Sequence, residues 1–278
     1  MSYKIVVDSC CDLPADLRKD PRIEVVPLVL QVDDFVIIDD DTFNQADYLA
    51  KVAASNDCAK TACPSPELYM KAYTTDADDV YVVTLSSKLS GSYNSALLGK
   101  NLYHEEIGDK NIHICDSLSA CCGETQIAMK AMDLAESGLA FEEVVTQLEA
   151  FRDEMNTYFV LDSLETLRKN GRLTGMKALV ATTLNIKPVC IGVRGEIQQK
   201  TQGIGIRKAL VKMVDVVASE IKEAEKKRLL ITHVNCFERA CVVKDMILKR
   251  VPFKEALIVD AAGVATTYAG DGGIVVTC

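Results

Sequence analysis

Thr84-Leu85-Ser86-Ser87-Lys88-Leu89-Ser90-Gly91-Ser92-Tyr93-Asn94-Ser95-Ala96 follows directly on the apolar run Asp79-Val80-Tyr81-Val82-Val83. That run is short, continuous and rich in β-branched residues, as a strand buried on both faces of a parallel sheet must be. It empties into hydroxyl side chains around one glycine, after which Tyr93, Ala96, Leu97 and Lys100 recur at helical spacing. In open α/β sheets, ligands gather at the carboxyl ends of strands, where helix N-termini offer free N–H groups and the positive end of a dipole. Ser90, with the amides that follow it, therefore suits an anionic head group. The same serine also suits a plain helix N-cap, and the stretch alone leaves both roles open.

Working outward, Tyr3–Val7 reads as a first strand ending in Asp8-Ser9, and Asn111–Cys115 as another ending in Asp116-Ser117. Strands of one parallel sheet end on one side, so these polar pairs should share a rim with Thr84 and the hydroxyl cluster. Asp12 is expected to cap a short helix, with Pro14 in its first turn. Ile23–Val32 reads as a second apolar run, and Asp33-Asp34 as the turn of a hairpin into Phe35–Ile38. Asp39-Asp40-Asp41 is expected to be a solvated turn, with Asp41 capping a helix over Phe43–Ala54. In Lys60-Thr61-Ala62-Cys63-Pro64-Ser65-Pro66-Glu67 the prolines fix an extended loop that opens the helix Pro66–Tyr73, but they leave Thr61 without an explanation. Two helices follow, Ala120–Ser137 and Phe141–Met155.

At Thr157 the alternation restarts, which predicts two α/β domains with a boundary near 155. Residues 1–155 should hold a mainly parallel sheet flanked by helices, and 156–278 a mixed sheet with helices. The second part reads as strand Thr157–Leu161, a helix capped by Ser163 and stopped at Gly171, and Arg172 just past that stop. A helix from Gly175 to Leu184 comes next, then a hairpin of Ile186–Gly192 and Glu196–Thr201, and a helix Ile206–Ala224. Strands Leu229–His233 and Ala256–Asp260 flank a helix Glu238–Lys249, and Ile274–Thr277 closes the chain. Tyr268 stands before a Gly-rich turn, either lining a pocket or packing at the surface.

The totals narrow the function. The chain has 278 residues, 49% of them hydrophobic, with a formal charge of −9. That acidic balance argues against broad contact with nucleic acid or anionic membrane. The N-terminus runs straight into a strand without a signal-peptide layout. No apolar run approaches the ~18 residues of a membrane span. A soluble, cytoplasmic protein without stable membrane insertion is expected. The 11 cysteines are odd in number, lack C-x-x-C spacing and include two adjacent pairs, while the 3 histidines are scattered. Neither a disulfide framework nor a metal site is expected, and most of these thiols should be small buried residues. The chain has no G-x-G-x-x-G after the first strand, no P-loop, no G-x-S-x-G and no H-E-x-x-H. Hydroxyls, helix N-termini and one arginine suit binding an anion better than transforming a substrate. The alternative is a hydrolase or acyl transferase with Ser86, Ser87 or Ser90 as nucleophile.

These residues resemble the DegV family of bacterial fatty-acid-binding proteins along essentially the whole chain. The matching motifs are Asp8-Ser9-x-x-Asp12-Leu13-Pro14, Lys60-Thr61-x-x-Pro64-Ser65, Leu85-Ser86-Ser87-Lys88-Leu89-Ser90-Gly91, Asp162-Ser163-Leu164-x-x-Leu167, Gly171-Arg172 and Asn185-Ile186-Lys187-Pro188. The resemblance implies a long-chain fatty acid between two α/β domains, with no cofactor and no catalytic residue. Its carboxylate would be held at Thr61 and Ser90, with the amides of Gly91 and Ser92 nearby. The resemblance also implies a separate ATP-dependent fatty acid kinase subunit as partner, with Arg172 associated with that step. The chain departs from the family pattern at Ala62-Cys63, at Ser92, and at Tyr268, where a histidine is common. The Tyr268 hydroxyl can still meet a carboxylate but carries no positive charge.

Overall fold

The computed structural model describes residues 2–173 and 185–278. The expected helix from Gly175 to Leu184 lies outside the described residues. Strands β1 (Tyr3–Asp8), β2 (Ile23–Val26), β6 (Asp79–Thr84) and β7 (Asn111–Asp116) form a four-stranded sheet in the order β2-β1-β6-β7, every neighbouring pair parallel. All six residues of β6 are buried, and the reason is its central position. Val80 and Val82 face α2 (Pro66–Tyr73) and α3 (Ser92–Glu106), while Tyr81 and Val83 face α4 (Cys122–Glu136) and α5 (Phe141–Glu154).

The run Ile23–Val32 is not one strand. Pro27 cannot donate to a ladder, and the chain changes sheets there. Beyond it, β3 (Val29–Val32) joins β4 (Phe35–Ile38) and β5 (Lys60–Ala62) in a separate antiparallel sheet ordered β4-β3-β5. The hairpin at Asp33-Asp34 forms as expected. Helix α1 (Gln45–Ala54) follows, capped by Asn44, whose Oδ1 accepts from the Asp47 amide at 3.0 Å, and not by Asp41. Asp41 is exposed, but Asp39 is buried, which corrects the solvated turn.

The second sheet runs β10-β9-β8-β13-β11-β12. It contains β8 (Thr157–Val160), the long hairpin β9 (Ile186–Val193) and β10 (Glu196–Ile204), and β11 (Arg228–His233), β12 (Glu255–Asp260) and β13 (Ile274–Thr277). Only β11 and β12 pair in parallel, so the sheet is mixed, as expected. Helix α6 (Glu165–Lys169) follows β8 and stops at Gly171, which takes a left-handed φ of 75°. Ser163 serves its start, its Oγ accepting from the Glu165 amide at 3.1 Å. Helices α7 (Ile206–Glu220) and α8 (Phe237–Leu248) cover one face, α7 ending four residues before Ala224. A short helix that the sequence did not suggest, α9 (Gly263–Ala269), carries Tyr268.

Helix α4 joins the two sheets. Its Ile127, Ala128 and Ala131 pack on the parallel sheet. On its other side the Gln126 side-chain amide donates to the carbonyls of Arg228 (2.9 Å) and Thr277 (3.2 Å), and the Cys122 amide donates to Thr232 Oγ1 at 3.1 Å. The helix can enter this seam because Gly123 has no side chain: a Cβ there would lie 2.0 Å from Ser119 Oγ. All 11 cysteines are free, and seven of them are buried.

Candidate functional site

The rim expected from the Asp-Ser strand ends exists, and its carboxylates organise the loop after β6. Asp8 Oδ2 accepts from the Leu85 amide at 2.9 Å and from Ser92 Oγ at 2.5 Å. Asp116 Oδ1 accepts from the amides of Ser87 (3.0 Å) and Leu118 (3.2 Å). Ser9 Oγ accepts from the Leu28 amide at 3.0 Å. These groups shape the rim by spending their lone pairs on backbone, which keeps the loop from Leu85 to Ser92 in one conformation.

Between the parallel sheet and the mixed sheet lies a cavity that opens to solvent, with about 800 Å³ of space when its open mouth is included. Strand β8 gives its axis. Thr157 and Phe159 alternate toward the cavity with Leu161 just beyond the strand end, a course of roughly 13 Å at ~3.3 Å per residue. At the Leu161 end the wall continues into Leu167 and Arg172; at the Thr157 end it closes against Ser119, Leu118 and Gly192. Ser119 Oγ and Thr157 Oγ1 are 2.7 Å apart and so satisfy each other. The wall between the two ends is overwhelmingly apolar.

The predicted ligand residues divide into two groups. Thr61, Ser90, Arg172 and Tyr268 all line the cavity. Thr61 Oγ1 and the Tyr268 hydroxyl are 3.0 Å apart. Ser90 Oγ accepts from the Ser92 amide at 3.2 Å, so it serves the start of α3 while facing the cavity. Arg172 donates from Nε to the Leu89 carbonyl (3.1 Å) and from Nη1 to the Asn170 carbonyl (2.5 Å). Its guanidinium stands 5.8 Å from the centre of the Tyr268 ring, bringing a positive charge to the hydroxyl cluster. Gly91 and Ser92 lie just behind this wall. The Ser92 hydroxyl is committed to Asp8 and receives the Tyr69 hydroxyl at 2.6 Å. A Cβ on Gly91 would lie 3.1 Å from Cys63 Sγ. The Gly91 amide has no hydrogen-bond acceptor among the described residues.

Asp12, which the sequence assigned to a local cap, and Asp39, which it assigned to a solvated turn, instead hold α9. Asp12 Oδ1 accepts from the Ala262 amide at 2.7 Å and its Oδ2 from Thr232 Oγ1 at 2.9 Å. Asp39 accepts from the Gly263 and Val264 amides at 2.7 and 2.9 Å. Two buried carboxylates thus serve the first amides of the helix that aims Tyr268, and the Tyr48 hydroxyl meets Thr267 Oγ1 at 2.6 Å beside it. Burial pushes Asp12 up to about 7 and Asp39 up to about 6, although their amide donors pull the other way. Nothing local marks either aspartate for this task, since the partners lie 220 or more residues away.

Of the serines offered as nucleophiles, Ser86 and Ser90 have hydroxyls engaged elsewhere. Ser86 is buried and donates to the Gly195 carbonyl at 3.1 Å. Among the described residues no side-chain base is hydrogen-bonded to the hydroxyls of Ser86, Ser87 or Ser90. Away from the cavity, His113, Cys115 and Glu149 bring ligand-type atoms within 4.8 Å of one another. Glu149 there is already paired with Arg152 and with His113 Nε2, the latter at 2.9 Å. No helix among the described residues is long and apolar enough to cross a membrane.

Hydroxyls, an arginine and the Gly91 amide, which lacks an acceptor among the described residues, gather at one end of an apolar cavity, an arrangement that suits an amphiphilic anion. The family model described as "Uncharacterised protein, DegV family" matches residues 2–277, and the chain belongs to that family. A DegV domain-containing protein of Streptococcus gordonii is 33% identical over 278 residues, covering 99% of this chain and 98% of the relative. A DegV family protein from Ruminococcus gnavus, refined with vaccenic acid, is 50% identical with a TM-score of 0.98, and each chain covers 100% of the other. The Fatty Acid Kinase (Fak) B3 protein of Streptococcus pneumoniae, loaded with linoleic acid, is 32% identical with a TM-score of 0.90, covering 100% of this chain and 99% of that one.

Proposed function

We propose that this protein binds a long-chain fatty acid in the cavity between its two sheets and presents the carboxylate to a separate ATP-dependent kinase subunit in the cytoplasm. The observation that carries the reading is the cavity's polarity: Thr61, Ser90, Tyr268 and Arg172 at one end, and apolar side chains along β8. A carboxylate leaving water needs charge-assisted hydrogen bonds, and two hydroxyls, a phenol and the Gly91 amide supply them. Arg172 adds a charge at the mouth, where a phosphoryl donor must approach. Each acyl CH₂ buried along β8 contributes ~0.8 kcal/mol, so a long tail dominates the affinity. The fatty acids carried by the Ruminococcus gnavus and Streptococcus pneumoniae relatives support the same ligand class.

Native mass spectrometry of the purified protein, followed by solvent extraction, tests the reading. A mass increment that extracts as fatty acid is expected; none, even after incubation with one, refutes it. A serine-directed phosphonate probe addresses the hydrolase alternative, and no labelling is expected.

A further inference from the structure

The described core contains one carboxyl group that no donor reaches. Glu124, on α4, is fully buried, and neither of its oxygens receives a hydrogen bond among the described residues. A carboxylate taken out of water without donors takes up a proton instead. Its polar neighbours are the Asp8 carboxyl and the Cys10 thiol, and burial and the Asp8 charge push Glu124 well above the usual carboxylate range. Asp8 is also fully buried but is supplied on all sides. Its Oδ1 accepts from the Cys10 amide at 3.0 Å, and its Oδ2 accepts from the Leu85 amide and from Ser92 Oγ. Three donors serve Asp8 and none serves Glu124, so a proton shared by the two carboxyls resides on Glu124 and the negative charge on Asp8.

The charged member sits at a mechanical junction. Leu85 and Ser92 are the two ends of the loop that carries Ser90, and a single oxygen of Asp8 binds both. The Ser92 amide in turn donates to Ser90 Oγ. We propose that Asp8 and Glu124 are positioning residues for the head-group site: ionised Asp8 pins both ends of the Leu85–Ser92 loop and thereby places Ser90, and neutral Glu124 supports Asp8 by donating a hydrogen bond to it. Neither residue lines the cavity; both act through Ser90. The inference rests on Ser90 holding the ligand's carboxylate.

The test compares Glu124→Gln with Glu124→Met, two side chains of similar volume of which only the first can donate to Asp8. Affinity is measured by displacement of a fluorescent fatty acid, the Leu85 and Ser92 amides are followed by hydrogen exchange, and a wild-type minus Gln infrared difference spectrum is recorded at neutral pH. The expected result is affinity about tenfold or more weaker for Met than for Gln, the worth of a hydrogen bond to a charged group. Faster exchange of the Leu85 amide in Met alone should accompany it. The difference spectrum should show the carbonyl band of a protonated carboxylic acid, lost in Gln. A Gln variant that loses as much as Met, in folding, exchange or binding, overturns the proposal, as does a wild-type spectrum without that band. If the wild type binds no fatty acid, the functional reading fails by itself, and the exchange and infrared results still decide this inference.

Discussion

The Tyr268 hydroxyl and Thr61 Oγ1 lie 3.0 Å apart, joining α9 to β5 across 207 residues of chain. One of the two donates to the other, so each has a partner. Both hydroxyls can turn toward an arriving carboxylate, because a hydroxyl rotor reorients without moving its side chain. Ser90 on the α3 side completes the set. The proposed head-group site is therefore preorganised by contacts between elements far apart in the chain.

Replacing Thr61 and Ser90 together with alanine removes two donors from the head group and leaves the tail's wall intact. Hydrogen bonds to a charged group are worth roughly 1.5–3 kcal/mol each, so the loss of two should lower affinity by about a hundredfold to ten-thousandfold. Displacement of a fluorescent fatty acid measures it. An unchanged affinity would place the head group elsewhere.

Tyr268→His puts an ionisable ring where a phenol can only donate or accept a hydrogen bond. An imidazole titrates near ~6.5, and Arg172 beside it opposes its charging. Binding by the variant should tighten as pH falls through and below that region, because an imidazolium adds an attraction that the neutral ring lacks. The wild type should show no such inflection. Parallel pH profiles for the two proteins would separate position 268 from the carboxylate.

Asp12 carries a pH dependence of stability. Burial lifts its carboxyl to about 7, above the ~3.9 of an unfolded chain. The folded state therefore holds more protons than the unfolded one across that interval, and stability falls as pH rises through it. The contribution is fully present below the unfolded value and is lost above the folded one. Asp12→Asn removes the titration, so its melting temperature should rise relative to wild type between about pH 5 and about pH 8. Thermal melts at the two conditions check the sign, and a constant difference would assign Asp12 an ordinary surface-like carboxylate.

How much of this was legible in the chain follows from where the partners lie. The run Asp79–Thr84 declares a buried parallel strand because its apolar residues are consecutive, and α2 begins and ends at the residues its prolines and spacing indicate. The rim of Asp8, Thr84 and Asp116 was readable because parallel strands share a direction. Asp39 looked solvated because its neighbours Asp40 and Asp41 are; its own oxygens meet amides at Gly263 and Val264. Helix α9 left no periodic signal, being seven residues long and containing glycine, valine and two threonines, types that favour other conformations. The support from Asp12 and Asp39 supplies what its local sequence lacks. Glu124 was read only as part of the helix Ala120–Ser137, since its polar neighbours Asp8 and Cys10 come from the distant first strand's end.

The far end of the cavity offers the clearest control of ligand length. Tyr158 pairs with Ile191 and Phe159 with Cys190, which sets Gly192 opposite Thr157, the last β8 residue facing the cavity. A Cβ at Gly192 would meet Thr157 Cβ at 3.4 Å, an ordinary contact, so the position admits a side chain that must then grow into the end of the cavity. Gly192→Leu should shorten the acyl course while leaving Thr61, Ser90 and Tyr268 untouched. Each methylene denied burial forfeits ~0.8 kcal/mol, enough to move the preference toward shorter acids by severalfold per carbon. Incubation with an equimolar series of saturated fatty acids, followed by extraction and mass analysis, reads that shift directly. A profile identical to wild type would mean that the tail does not run along β8 toward Thr157, and the direction assigned to the ligand would have to be reversed.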